Sequence, residues 1–250
     1  MELLFQVLAN TFIYILHKLY CENMSVKNLF STSLAENEAA ILFFGYSGVI
    51  VKTSSEALAF DLADLIGFRD IQDIEKLNAI LYTHNHYDHY HSRTAEHIFK
   101  RTNAPLIVDR SIYNDVLKFA PKEKVYVADP SKQISIDGIV ISPVRGKHIG
   151  SITLYHVKLK HFSIFHGADS AYIPLKNLPT DIALLPTGEP SPTASPEDAF
   201  EMVKDLKPKV VAVFHGSDYQ HDKLKENIMN NMPQIQFITL EKKKIFKLTI

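Results

Sequence analysis

The hydrophobic pattern divides the chain in two. Residues 2–20 form an almost continuous apolar run, from Leu3 to Leu19, broken by Gln6, Asn10, Thr11 and His17. That density predicts a helix nearly long enough to cross a bilayer. The run opens on Glu2 and no small-residue cleavage site follows, so it does not read as a signal peptide. Packing on the domain or on a second copy of the chain is the favoured expectation; contact with a membrane surface is the alternative. Residues 25–38 are polar and read as a connector. Residues 1–38 are therefore expected to be an N-terminal helical extension, and 39–250 a single domain.

From Ala39 the pattern changes to short apolar runs between turn residues. Residues 39–44, 49–52 and 57–61 read as strands, punctuated by Gly45 and Gly48 and then by Thr53-Ser54-Ser55. A short helix is expected over 71–77 and a buried strand over 78–83. Thr94, Ala95, Ile98 and Phe99 make a helical stripe over 92–101, with Ser92 as its cap. A strand over 104–109 and a helix over 111–119 follow. Strands are then expected over 124–127, 133–136, 139–144, 162–166 and 181–185. Ser195-Pro196-Glu197-Asp198 opens a helix: a capping hydroxyl, a proline at the first helical position and acids in the first turn. Pro208 ends it, 209–214 is the last core strand, and 237–240 and 244–249 are expected to close the second sheet. Alternating strands and helices of this kind belong to the α/β class.

Composition narrows the field. Apolar residues make up 46% and charged residues 22% of 250 residues, as in an ordinary globular domain. The formal net charge of −1 argues against a large electrostatic footprint for nucleic acid. Cys21 is the single cysteine, which excludes an internal disulfide and suits a reducing, cytoplasmic compartment, with membrane association through residues 2–20 kept open.

The chemistry is concentrated in His84-Asn85-His86-Tyr87-Asp88-His89, directly after the expected strand 78–83. Side chains alternate on an extended chain, so His84 and His86 can face one ion. A turn would let Asp88 and His89 face a second. Neutral imidazole and carboxylate suit zinc and similar divalent ions. A chain with twelve histidines will cluster some by chance. Four potential ligands in six residues at a strand end are a much stronger signal. His91 and His97 are expected to be solvated or packing residues.

The H-x-H-x-D-H run resembles the signature of the metallo-β-lactamase fold superfamily. The resemblance covers about residues 39–250 and implies a four-layer αββα sandwich. It implies further site residues, each at a strand end in chain order. His148 would complete a first site with His84 and His86. His215 would complete a second with Asp88 and His89, and Asp169 would bridge the two ions. Ala168 stands where relatives carry glycine. Asp61 would orient the metal loop from behind, unless it caps the helix after it. The segment 181–188 and the strand ending at His215 are most similar to the branch that includes the ascorbate-6-phosphate lactonase type. The flavodiiron branch resembles H-x-E-x-D instead, and His86 fills its Glu position. The implied protein is a binuclear hydrolase with two Zn²⁺ or Mn²⁺ ions. A metal-bridging hydroxide would cleave a small ester, lactone or phosphoester, with Asp88 accepting the proton. A phosphodiesterase on cyclic nucleotides or RNA ends, and a non-enzymatic metal-binding module, are the alternatives. The loops at 45–48, 115–130 and 187–194 would choose the substrate.

Overall fold

The computed structural model describes residues 25–188 and 193–250. The apolar segment 2–20, with its expected helix and contacts, lies outside them. Among the described residues no helix is long and apolar enough to cross a membrane.

The described chain forms two seven-stranded sheets. The first contains β1 (Glu38–Gly45), β2 (Gly48–Lys52), β3 (Ala57–Phe60), β4 (Ala79–Tyr82), β5 (Leu106–Val108) and β6 (Val125–Val127), with the last strand, β14 (Ile245–Thr249), beside β1. The second runs from β7 (Ile134–Ile136) through β8 (Ile139–Arg145), β9 (Thr153–Lys158), β10 (Ser163–His166), β11 (Ile182–Pro186) and β12 (Val210–Phe214) to β13 (Gln236–Thr239). Four helices accompany the first sheet: α1 (Val26–Ser31), α2 (Phe68–Gln72), α3 (Ser92–Thr102) and α4 (Tyr113–Val116). Two, α5 (Pro196–Leu206) and α6 (Asp218–Asn231), accompany the second.

Three apolar cores separate the four layers, and strand alternation explains them. On β1, Ala40, Leu42 and Phe44 face the helices while Ala39, Ile41 and Phe43 face the other sheet. On β12, Val210, Ala212 and Phe214 enter the central core and Val211 and Val213 meet α5 and α6. Both faces are buried, so these strands read as unbroken apolar runs. Tyr155 crosses the central gap and donates its hydroxyl to the Tyr82 carbonyl at 2.8 Å, tying β9 to β4.

The expected αββα sandwich is the observed one, with four local differences. The connector contains α1, capped by Ser25, whose Val26, Leu29 and Phe30 join the first core. Residues 73–77 are not helical; α2 lies earlier, at Phe68–Gln72. His91 rather than Ser92 is the cap residue of α3, without a side-chain cap bond. Finally, β14 does not close the second sheet: it pairs antiparallel with β1 in the first.

Candidate metal centre

β3, β4 and β5 run parallel, as do β10, β11, β12 and β13. Parallel strands put their C-terminal ends at one edge, where loops carry function in open α/β sheets. Asp61 follows β3, the histidine motif follows β4, Asp169 follows β10 and His215 follows β12. His148 sits in the loop between β8 and β9. The fold brings these residues into two groups. His84, His86 and His148 form one; Asp88, His89, Asp169 and His215 form the other. Within each, one candidate ligand atom per residue lies within 4.8 Å of all the others. The groups adjoin, since the His84 and His89 rings are 4.1 Å apart.

Spacing and satisfaction both fit metal ions. Ligands around a tetrahedral ion at about 2.0–2.1 Å sit roughly 3.3 Å from one another. His148 Nε2 is 3.4 Å from His86 Nδ1. Asp169 Oδ2 is 3.0 Å from His89 Nε2 and 3.4 Å from His215 Nε2. Asp88 Oδ2 is 3.7 and 4.0 Å from the same two nitrogens. Nε2 of His84, His89 and His215 and both Asp169 oxygens are buried without a hydrogen bond of good geometry. Buried polar atoms normally have partners. Five such atoms converging on one place are what a cation site requires.

The outer faces of these side chains are held in register. Asp61 is fully buried and accepts from Thr83 N at 2.8 Å, Thr83 Oγ1 at 2.7 Å and Ser47 Oγ at 2.8 Å. His89 Nδ1 lies 2.9 Å from Asp61 Oδ2 and 2.8 Å from Ser47 Oγ. A carboxylate can only accept, so Nδ1 carries the proton there and Nε2 faces the centre. The Thr83 hydroxyl gives its proton to Asp61, so it accepts from His84 Nδ1 at 3.0 Å. That leaves His84 Nε2 free to face inward. His215 Nδ1 donates to the Gly188 carbonyl at 3.2 Å, with the same consequence. Asp61 thus orients two imidazoles through a short network. It caps no helix, since α2 starts at Phe68 with Gly67 at its cap.

Electrostatics follow from burial and pairing. Burial and the neighbouring His89 push His84 down to about 3, which keeps its imidazole neutral. Burial alone would lower His89 too. The nearby Asp169 and Asp61 carboxylates outweigh that and raise it to about 10. Burial opposes ionisation of Asp169, yet His215 and His89 hold its carboxyl far below the usual carboxylate range. A cation held by this group would take the place of a proton on His89 Nε2, the nitrogen that faces Asp169.

Residues 60–216, more than half of the chain, match the family model described as the beta-lactamase superfamily domain. The chain belongs to this family. A UPF0173 protein of Pyrococcus abyssi is 26% identical over 185 residues, spanning 72% of this chain and 84% of that protein. The structure of Igni18, described as a novel metallo hydrolase from Ignicoccus hospitalis, matches with a TM-score of 0.71 and 20% identity. It covers 85% of this chain and 99% of that one. CmlA, a diiron β-hydroxylase from Streptomyces venezuelae, matches with a TM-score of 0.69 and 17% identity, covering 86% of this chain and 55% of that one. At such identities the two structures establish the fold. Their different reactions illustrate how little the fold alone decides.

In this β-lactamase superfamily protein the structure collects all seven expected ligand positions and sets Asp61 behind them. It leaves the other described histidines outside. His91 pairs with Thr94 Oγ1 at 2.9 Å, His156 donates to the Pro179 carbonyl at 3.2 Å, and His161 lies near Glu36 on the surface. His221 is on α6 and is buried. Two anchors escaped the sequence reading. Thr83 ends a run that reads as plain strand, and Ser47 sits in a glycine-bounded turn; no local pattern marks either as a partner of Asp61. His166 also went unassigned. Its ring stacks on Phe60 at 4.8 Å and its Nε2 donates to the Ser47 carbonyl at 3.0 Å, propping the same turn.

Proposed function

We propose that this metal-dependent hydrolase of the β-lactamase superfamily works with two divalent ions on a small-molecule ester, lactone or phosphoester. The observation that carries the proposal is the pair of adjoining ligand groups, in which Nε2 of His84, His89 and His215 and both Asp169 oxygens are buried without a hydrogen bond of good geometry. His84, His86 and His148 would hold one ion; Asp88, His89 and His215 the other, with Asp169 between them. When bound, such a pair supplies an acidified water at neutral pH and polarises the bond to be cleaved. The chain's residues do the rest. Asp61 fixes the His89 tautomer, His84 stays neutral, and the largely buried Asp88 carboxylate would face the reacting position, where it can take the nucleophile's proton. No serine or cysteine nucleophile is required, and zinc and manganese both suit the donor set.

The test begins with metal content of protein purified without chelator. About two ions per chain are expected, falling in Asp169→Ala. A panel of lactones, carboxylic esters, phosphomonoesters and phosphodiesters then follows, with His86→Ala as control. Cleavage of lactones, carboxylic esters or phosphomonoesters above that control supports the reading. Turnover of phosphodiesters alone moves the assignment to a phosphodiesterase. Fewer than two ions, even with Zn²⁺ and Mn²⁺ supplied, overturns it.

A further inference from the structure

We propose that Asp109 is a positioning residue that holds the His148 loop against the first ligand group; the inference rests on the two-ion reading above. Asp109 follows β5 in the first sheet and is 2% exposed. Its carboxylate is filled from two directions. Oδ1 accepts from Ser111 N at 2.8 Å and Ser111 Oγ at 2.7 Å, within its own loop. Oδ2 accepts from Ser151 Oγ at 3.0 Å and Thr153 Oγ1 at 2.8 Å, which belong to the second sheet's side. Those hydroxyls stand three and five residues after His148.

The rest of the loop explains why this anchor matters. Gly146 N closes its base on the Ile152 carbonyl at 3.2 Å. One root is tied to the second ligand group: Lys147 N donates to Ser170 Oγ at 2.9 Å and Ala171 N to the Lys147 carbonyl at 2.9 Å, beside Asp169. The other root is tied to the first group: Thr153 N donates to the Thr83 carbonyl at 2.9 Å, immediately before His84. The tip has little packing to rely on. Ile149 is 69% exposed and Gly150 takes φ +87°. Hydrogen bonds at the roots, rather than a core, therefore place His148. Of these, the Asp109 bonds join the two sheets through side chains.

A buried carboxylate is costly, and an apolar residue could fill the same space. Asp109 has no ion-pair partner among the described residues; four donors compensate it. A carboxylate accepts and never donates, so it enforces one arrangement of all four donors. That is a device for fixing a loop between two sheets. The nearby motif residues are held comparably by Asp61, so the two buried acids divide the work: Asp61 orients His84 and His89, and Asp109 places His148.

The experiment measures stepwise Zn²⁺ affinities of the full chain by competition with a chromophoric chelator, in Asp109→Asn, Asp109→Ala and the Ser151→Ala/Thr153→Val double variant. His148→Ala identifies which step belongs to the first group. The expected result is a loss of about tenfold or more at that step, with the other step unchanged, in the Asp109 variants and in the double variant. Hydrogen exchange of residues 146–153 in the metal-free protein is expected to quicken in the same variants, without a matching change around Asp169. Equal weakening of both steps alongside general loss of protection would make Asp109 a purely structural residue and overturn the proposal. So would unchanged affinities and exchange. If wild-type protein itself shows no pair of binding steps, the two-ion reading fails, and the exchange measurement still decides whether Asp109 holds the loop.

Discussion

Asp61 carries the most demanding single-residue role. It adopts φ +46°, a left-handed conformation unusual for a non-glycine residue, and there receives three hydrogen bonds and the His89 imidazole. Asp61→Asn would keep the shape but put an amide donor against groups that all donate. Metal affinity should fall roughly 10- to 100-fold, measured by chelator competition on the folded fraction. Wild-type affinity in that variant would remove the orienting role. Two further site residues share the left-handed backbone: His215 at φ +50° and Ala168 at φ +46°. Ala168 replaces the glycine that the family resemblance led us to expect. Ala168 takes the left-handed conformation without being a glycine, at a cost of roughly 1–2 kcal/mol. The ligand types were legible at this scale because imidazole and carboxylate advertise themselves. The anchors Ser47, Thr83 and Asp109 were not, because hydroxyls and acids in loops are common and the bonds that tie them across the site span 14 to 44 residues.

At the scale of elements, the sequence spoke clearly wherever local rules and packing agreed. Ser195 accepts from Asp198 N at 3.1 Å and Pro196 starts α5, as the run of residues implied. Strands buried on both faces appeared as apolar runs. Partner choice was different. β14 alternates like any strand, and nothing in its own residues selects β1 over the edge of the second sheet; only the completed fold does. The start of α3 and α4 are joined by one acid, Asp115. Tyr90 Oη donates to its Oδ2 at 2.6 Å, and Lys118 Nζ lies 2.7 Å from its Oδ1. Partial burial would raise its pKa, but the bonds from Lys118, Ser92 and Tyr90 outweigh that and lower it to about 2. The unfolded value is about 3.9. The folded carboxyl is the stronger acid, so its contribution is complete above about pH 4 and is lost as pH falls through 2. Solvent screening limits it to the order of 1 kcal/mol. Denaturant melts of wild type and Asp115→Asn should therefore differ at pH 6 and converge towards pH 2. A constant difference across that range would show that the acid acts by packing alone.

For the whole molecule, the decisive fact is that each ligand group draws on both sheets. His84 and His86 come from the first and His148 from the second; Asp88 and His89 come from the first, Asp169 and His215 from the second. The sandwich is closed elsewhere by its central core and by Tyr155. At this edge Nε2 of His84, His89 and His215 instead lacks a hydrogen bond of good geometry, and Asp169 is buried with both its oxygens in that state. Without cations, that edge carries the cost of buried polar groups. With them, the same atoms would clamp the halves together. A ligand that binds only the folded state stabilises it by about 4 kcal/mol when present at about a thousand times its dissociation constant. For a chain of this size that corresponds to a rise in Tm on the order of 10 °C. Stripping the protein with chelator should lower Tm by that amount, and restoring Zn²⁺ or Mn²⁺ should recover it. The loss should concentrate at the ligand-bearing edge, seen as faster hydrogen exchange at residues 83–90 and 146–153, while the β1–β2 core pairing keeps its protection. His84→Ala protein should gain much less from added metal. If metal leaves both Tm and exchange untouched in the wild type, the clamp does not exist, and the seven residues would have to be explained by some other buried ligand.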